Sequence, residues 1–320
     1  MMKVSSTRLA AWYAQMATCL DAGLSWQRAV ETASGLRTEL RRRLVDALGA
    51  GLSLDEALAR GGAWLPRLDR ELIAAGTAAG RTPEMLRRLA ARHEAAARAR
   101  RQVLAASAYP LIVAHLAAFA LPVAVLMQGA GVEAYLPAVL KVLIPLWGAV
   151  AVLAWAARRR LRPLMAVLDV LPGIGGYRRY RALADLAFVL QAQVMAGIRL
   201  DEAWRRAARA SGDTRLEAVA GKVAETVRAG LPVSLALAGE RRSLPAPFAE
   251  FWENGERTGA LESALAHLYR HFGDLAARRL AAASFAYPKV LFAAVAIWVA
   301  VQALQFYAGY FQQLEELMQP

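Results

Sequence analysis

Three stretches of this chain are apolar for about the length that a helix needs to cross a bilayer, and nothing else in the sequence constrains the fold as strongly. A hydrocarbon core of about 30 Å takes roughly 20 residues in helical form. Residues 109–127 hold no charged side chain, and His115 is the one group there that titrates near neutral pH. Residues 136–157 hold one charge, Lys141, placed so that it can snorkel to the interface. Residues 285–310 hold Lys289 near their start. Helices buried in a soluble core seldom stay free of charge on every face for so long. The reading is three transmembrane helices, 109–127, 136–157 and 285–310.

Flanking charge orients them. Arg-rich runs precede the first span (Arg92 to Gln102), follow the second (Arg158 to Arg162, then Arg178 to Arg181) and precede the third (Ala277 to Leu280). The loop 128–135 and the tail 311–320 carry no Lys or Arg. The positive-inside rule places the basic flanks in the cytoplasm. The expected topology is multi-pass, with a cytoplasmic N-terminus and an external C-terminus. The chain has 39 Lys and Arg against 26 Asp and Glu. Much of that excess sits beside the spans, where it meets anionic lipid, so membrane lipid and not nucleic acid is the expected anionic partner. No secretory signal is visible at the start of the chain.

The segments between the spans are two copies of one pattern. Gly23 and Gly197 begin similar blocks 174 residues apart, Gly51 and Gly230 a second pair 179 apart, and Tyr109-Pro110 and Tyr287-Pro288 a last pair 178 apart. Leu65-Pro66 and Leu244-Pro245, and Ala74 to Leu86 with Glu253 to Leu265, fall between them in the same order. Apolar residues recur every three or four positions, as at Leu183, Leu186, Ala187, Leu190 and Val194. The "SLDE" at Ser53 reads as a capping box, and Gly23, Gly35, Gly51, Gly212 and Gly230 as helix stops. No alternating strand pattern occurs. The fold class is therefore all-α: two repeated cytoplasmic helical-bundle domains, 1–108 and 158–284 once their membrane-entering helices are included, plus three transmembrane helices. Each repeat is expected to fold alone. Tyr109, Pro110, Tyr287 and Pro288 mark where a helix of each copy enters the membrane, with a bend at the proline.

The chain offers little for catalysis. It has no phosphate-binding glycine loop of the Walker type, and no catalytic residue, cofactor or metal site is expected. Its single cysteine, Cys19, lies in an apolar helical pattern and reads as a buried structural thiol. His267 and His271 share a helix face at a spacing that can bind metal, but no cysteine or HExxH pattern accompanies them, so the expected reading is a solvated face. His115 is expected to pack against a neighbouring helix.

Doubled helical repeats, each leading through Tyr-Pro into a span, resemble the type II secretion system F domain family. These are the inner-membrane platform proteins of type II secretion and type IV pilus machines. The stretch Gly255 to Leu265 fits that family's G-E-x-[ST]-G-x-L pattern through Gly255, Glu256, Thr258 and Gly259. Gly76 and Gly80 match it in the first copy, where Thr77 replaces the glutamate and Ala79 the hydroxyl residue. The chain starts directly at the first repeat, which suggests a shortened variant.

The resemblance implies a non-enzymatic scaffold. Its implied partners are a hexameric secretion or pilus ATPase, other inner-membrane assembly proteins, pilin or pseudopilin subunits and a second copy of the chain. It makes the motif residues candidates for partner contact. Glu256 is read first as a capping carboxylate at the start of the long helix into the third span. The alternative for the whole chain is a small membrane transporter or channel subunit.

Overall fold

The computed structural model describes residues 4–60, 64–120, 122–123, 131–159 and 173–318. Every regular element among them is helical. The first copy of the repeat supplies α1 (Ser6–Asp21), α2 (Trp26–Thr32), α3 (Thr38–Gly49), α4 (Leu54–Arg60), α5 (Arg67–Ala78) and the start of α6 (Thr82–Ala120). After α7 (Gly131–Arg159), the second copy supplies α8 (Ile174–Met195), α9 (Leu200–Ser211), α10 (Thr214–Arg228), α11 (Val233–Ala238), α12 (Ala246–Thr258) and the start of α13 (Leu261–Met318). The chain divides into two compact units, Met1–Ala99 with Gly176–Arg278, and Arg100–Gly175 with Arg279–Pro320.

The first unit contains both copies, and they share one hydrophobic core. Four short turns shape it, two in each copy. At Gly23, Gly51, Gly197 and Gly230 the backbone turns left-handed (φ 79, 83, 68 and 74°). In each, the glycine N–H bonds the carbonyl three residues back and the next N–H the carbonyl five back, as Gly23 does to Leu20 and Leu24 to Cys19. This is the Schellman closure, which satisfies carbonyls that a helix end would otherwise leave unpaired. The "AGL" and "AGI" repeats of the sequence are these four caps.

Large side chains fill the space between the helices. Trp12, Tyr13 and Met16 of α1 are fully buried, and Trp12 meets Trp64 edge-on at 5.8 Å. Trp204, Phe248, Trp252 and Phe272 form the corresponding cluster in the second copy, with Trp204 and Trp252 centred 5.1 Å apart. Burial of each such side chain contributes about 1.5–3 kcal/mol. Cys19 is half-buried and packs on the edge of this core, where the sequence pattern predicts full burial.

The most enclosed element is α8. All residues from Ala182 to Gln193 are buried, including Asp185, Gln191 and Gln193. The periodicity at Leu183, Leu186 and Leu190 predicts one buried face. The structure buries the others too, because α6 and α13 both pack on this helix. Phe188 stacks on Tyr269 with ring centres 4.6 Å apart, and Arg88 of α6 donates to Gln191 at 2.9 Å.

The second unit has a different surface. Of the large apolar side chains left exposed among the described residues, all but Leu24, Leu231 and Leu235 belong to it. Two stretches are long and apolar enough to cross a membrane, one within Thr82–Ala120 and one at Gly131–Gly148. The expected third span, 285–310, is helical throughout as part of α13, but many of its side chains lie outside the described residues. So does the end of the expected first span, from 124 onward. The helix α7 begins at Gly131, inside the expected loop 128–135.

His115 has an interhelical partner in this unit. Its Nδ1 lies 2.7 Å from the Leu111 carbonyl and its Nε2 accepts from the Trp147 indole at 3.2 Å. The imidazole therefore carries its proton on Nδ1, and the ring joins α6 to α7. Tyr135 adds a bond to the Phe119 carbonyl at 3.0 Å.

Candidate functional site

The residues singled out by the sequence pattern fall on two helical hairpins. In the second copy α12 ends at Thr258, the chain reverses through Gly259, and α13 begins at Leu261. Gly255 lies where the two helices touch. A Cβ built on it would come 2.8 Å from the Ala264 Cβ and 3.2 Å from the Leu261 Cα, closer than side chains pack. Gly259 adopts φ 69°, and the Ala260 N–H bonds the Gly255 carbonyl at 2.9 Å. The Thr258 hydroxyl donates back to the Asn254 carbonyl at 2.8 Å. The first copy repeats this geometry. A Cβ on Gly76 would meet Met85 at 2.6 Å, and Gly80 closes α5 at φ 66°. The motif glycines are thus set by a tight crossing of two helices and the turn that joins them.

Glu256 does something the hairpin does not require. Its two carboxylate oxygens accept the backbone N–H groups of Val233 and Ser234 at 2.8 and 3.0 Å. Those are the first residues of α11, whose N-cap is Pro232 and offers no side-chain oxygen. The carboxylate caps a helix 22 residues earlier in the chain, not the long helix that follows it. It neutralises free donors at the positive end of that helix.

The first copy is built differently at this helix start. Ser53 stands at the start of α4, and Glu56 accepts from both its N–H (3.0 Å) and its hydroxyl (2.8 Å). With a cap built into α4 itself, Thr77 at the position of Glu256 is free to bond the Ile73 carbonyl at 2.9 Å. The departure at Thr77 is therefore matched by a difference at Ser53 and Pro232.

The remaining candidates do not join this site. Tyr109, Pro110, Tyr287 and Pro288 lie in the second unit, and both α6 and α13 continue through their prolines. Tyr109 meets the Phe292 ring at 6.1 Å. His267 is exposed and stacks on Phe251 at 4.4 Å, while His271 is half-buried against Phe272. Among the described residues no group of three or more His, Cys, Asp or Glu side chains is arranged to hold a metal.

Sequence reasoning missed a buried ion cluster between the copies. Asp69 of α5 is completely buried, and one carboxylate oxygen meets the Tyr13 hydroxyl at 2.8 Å and the His93 Nε2 at 2.6 Å. Its other oxygen lies 3.9 Å from the Arg92 guanidinium. Arg92 in turn grips Asp185 of the second copy with two bonds, 3.1 and 2.7 Å, and Arg181 approaches the same carboxylate at 3.3 Å.

Burial and the neighbouring Asp69 push the Tyr13 phenol well above its ordinary value, so it remains a donor. Burial opposes the charge of Arg92, but Asp185 and Asp69 outweigh it and hold the guanidinium more firmly protonated than usual. Each charged group here has an opposite partner, and the arrangement is a structural clasp. A signal was available. Asp69 follows Leu68 and precedes Leu72 and Ile73 on a core-facing stripe, a position at which a carboxylate needs a buried partner.

Removing one side of the clasp leaves a buried charge unpaired. Asp185→Ala is expected to destabilise the purified full chain by about 3–5 kcal/mol in urea unfolding. Arg87→Ala, which breaks an exposed pair with Asp21, is expected to cost about 0–1 kcal/mol. Equal small losses would show that the clasp contributes nothing special.

The cap makes a separable prediction. Glu256→Ala is expected to cost about 1 kcal/mol, and Glu256→Gln less, since an amide oxygen still accepts. Adding Pro232→Ser to Glu256→Ala places a hydroxyl where the first copy has one and is expected to recover part of the loss. Unchanged stability in Glu256→Ala, followed by circular dichroism during urea unfolding, would remove the cap from the account.

Comparison with known proteins bears on the duplicated pattern directly. A search of curated proteins returned no match. The family model described as "Type II secretion system (T2SS), protein F" matches twice, over residues 12–128 and 189–306. Each match takes in one copy of the repeat, including its glycine hairpin, and part of the apolar helix that follows. Together they cover more than two thirds of the chain, which belongs to the type II secretion system protein F family.

Proposed function

We propose that the chain is a non-enzymatic platform protein of a type II secretion or type IV pilus machine. In this reading it sits as a multi-pass protein in the bacterial inner membrane and couples a cytoplasmic hexameric ATPase to the assembly of pilin or pseudopilin subunits. Other inner-membrane assembly proteins and a second copy of the chain complete its set of partners.

The observation that carries the reading is the double family match, one to each copy, over a chain whose exposed apolar side chains gather on the second unit. Large exposed apolar surfaces mark contact with lipid or protein. The buried ionisable groups support a scaffold. Asp69, His93, Arg92 and Asp185 are engaged with one another, and so serve cohesion.

Two measurements test this. The tagged full chain, solubilised in mild detergent, is expected to co-purify the secretion or pilus ATPase of its own cell. Failure to do so at matched membrane levels would sink the coupling role. Alkaline phosphatase fused after Gly131 or Gln319 is expected to be active, and fused after Arg178 inactive. Activity at Arg178 would reverse the orientation drawn from the arginine flanks.

A further inference from the structure

Away from the hairpins, the two copies form the walls of a cleft. It has a volume of about 440 Å³ and lies between α5 of the first copy and α9 of the second, both within the first unit. Four arginines line it, Arg67 and Arg70 from one wall and Arg206 and Arg209 from the other. Two carboxylates accompany them. Glu202 accepts from the Arg206 Nε at 2.8 Å. Glu71 lines the cleft, and burial pushes its carboxyl above the ordinary range while Arg206 and Arg70 pull it back down.

The cations outnumber these anions by two. Among the described residues no ion pair joins Arg67, Arg70 or Arg209 to a carboxylate. The Nε of Arg70 is buried without a hydrogen-bond partner.

Nor is the cluster a by-product of the duplication. Where α5 carries Arg67 and Arg70, its counterpart α12 carries Ala246 and Ala249. The counterpart of α9 is α2, which ends at Thr32, the position equivalent to Arg206, so the turn that carries Arg209 has no equivalent. Both walls carry cations that the other copy of the repeat lacks.

Guanidinium forks match carboxylate and phosphate oxygens. Several features favour carboxylates here. The cations are spread over two facing helices and do not converge from one loop. Arg67 and Ala74 lie about 10 Å apart along α5 at helical rise. Leu58 and Ala74 add apolar surface for the stems of side chains, and no aromatic ring lines the cleft to stack a base.

We propose that the cleft between α5 and α9 docks an acidic segment of a protein partner, whose carboxylates occupy Arg67, Arg70 and Arg209. This deepens the platform reading and rests on it only in taking the occupant to be another protein of the machine.

The test uses the full chain in nonionic detergent and a fluorescein-labelled hexaglutamate peptide, read by fluorescence anisotropy at low salt. Arg67 and Arg209 are exposed, so Arg67→Ala/Arg209→Ala is expected to leave the helicity intact. That variant is expected to weaken binding by about tenfold or more, the scale of two lost charge-assisted contacts. Arg42→Ala/Arg43→Ala removes the same charge from the exposed face of α3 and is expected to change binding less than about twofold, as for charges remote from a site. Equal loss in both variants, or none in the first, would overturn the proposal, as would no peptide binding by the unaltered chain. Displacement of the peptide by inorganic phosphate as effectively as by unlabelled peptide at equal charge would make the cleft a phosphate site and overturn it equally. Peptide binding that survives while the ATPase fails to co-purify would count against the platform reading and leave the cleft standing.

Discussion

The bond between Arg92 and Asp185 fixes how the two copies of the repeat meet. A pair of ions taken out of water is costly, and well-packed apolar side chains of the same size often give equal or greater stability. What the ions add is intolerance of misplacement. Sliding α8 along α6 by one residue would leave an apolar contact largely intact, but it would strand Arg92 between carboxylates it no longer reaches. Asp69 extends the same demand into the first copy, because Tyr13 of α1 and His93 of α6 both close on it. Three helices of one copy and one of the other are thereby set in a single register, and α5, one wall of the arginine cleft, is among them.

Local features were legible in the sequence and distant ones were not. The four glycine turns close through residues within six positions of one another, and three of them, Gly23, Gly51 and Gly230, are expected helix stops in the sequence. The capping box at Ser53 is equally local, with Glu56 accepting from both the Ser53 N–H and its hydroxyl. Glu256 shows the limit. Its residue type suggests a cap, and the nearest helix start is that of α13, but the free donors it serves belong to α11. Nothing within a few residues of Glu256 points there, and only the missing side-chain oxygen at Pro232 hints at the need. Asp69 shares a core-facing stripe with Leu68 and Leu72, so its burial could be read locally, but its partners Tyr13 and His93 lie 56 and 24 residues away. Asp185 follows Arg178, Arg179 and Arg181, which read as a solvated face, and Arg92, which grips it, is 93 residues earlier.

Duplication has been followed by division of labour. Both copies keep the close helix crossing at Gly76 and Gly255 and the turns at Gly80 and Gly259. They differ where one copy faces the other: Arg67 and Arg70 have alanine counterparts, and α9 is longer than α2. The shared residues are those the hairpin geometry dictates. The differing ones fall on the surface between the copies and on the caps: Glu256 accepts from the first two residues of α11, whereas Glu56 accepts from Ser53, whose counterpart Pro232 has no N–H.

The burial of α8 also has a consequence for the order in which this protein can be made. A chain leaves the ribosome from its N-terminus, and domains tend to fold as they emerge. The first copy, through Ala99, is synthesised well before α8 begins at Ile174. In that interval Arg92 lacks its principal partner, and the surface that α8 will cover is open to water. The apolar stretches of the second unit, in α6 and α7, are translated in the same interval. The first copy must therefore wait, incompletely closed, while those stretches find their own environment, and it becomes complete only when its partner copy arrives.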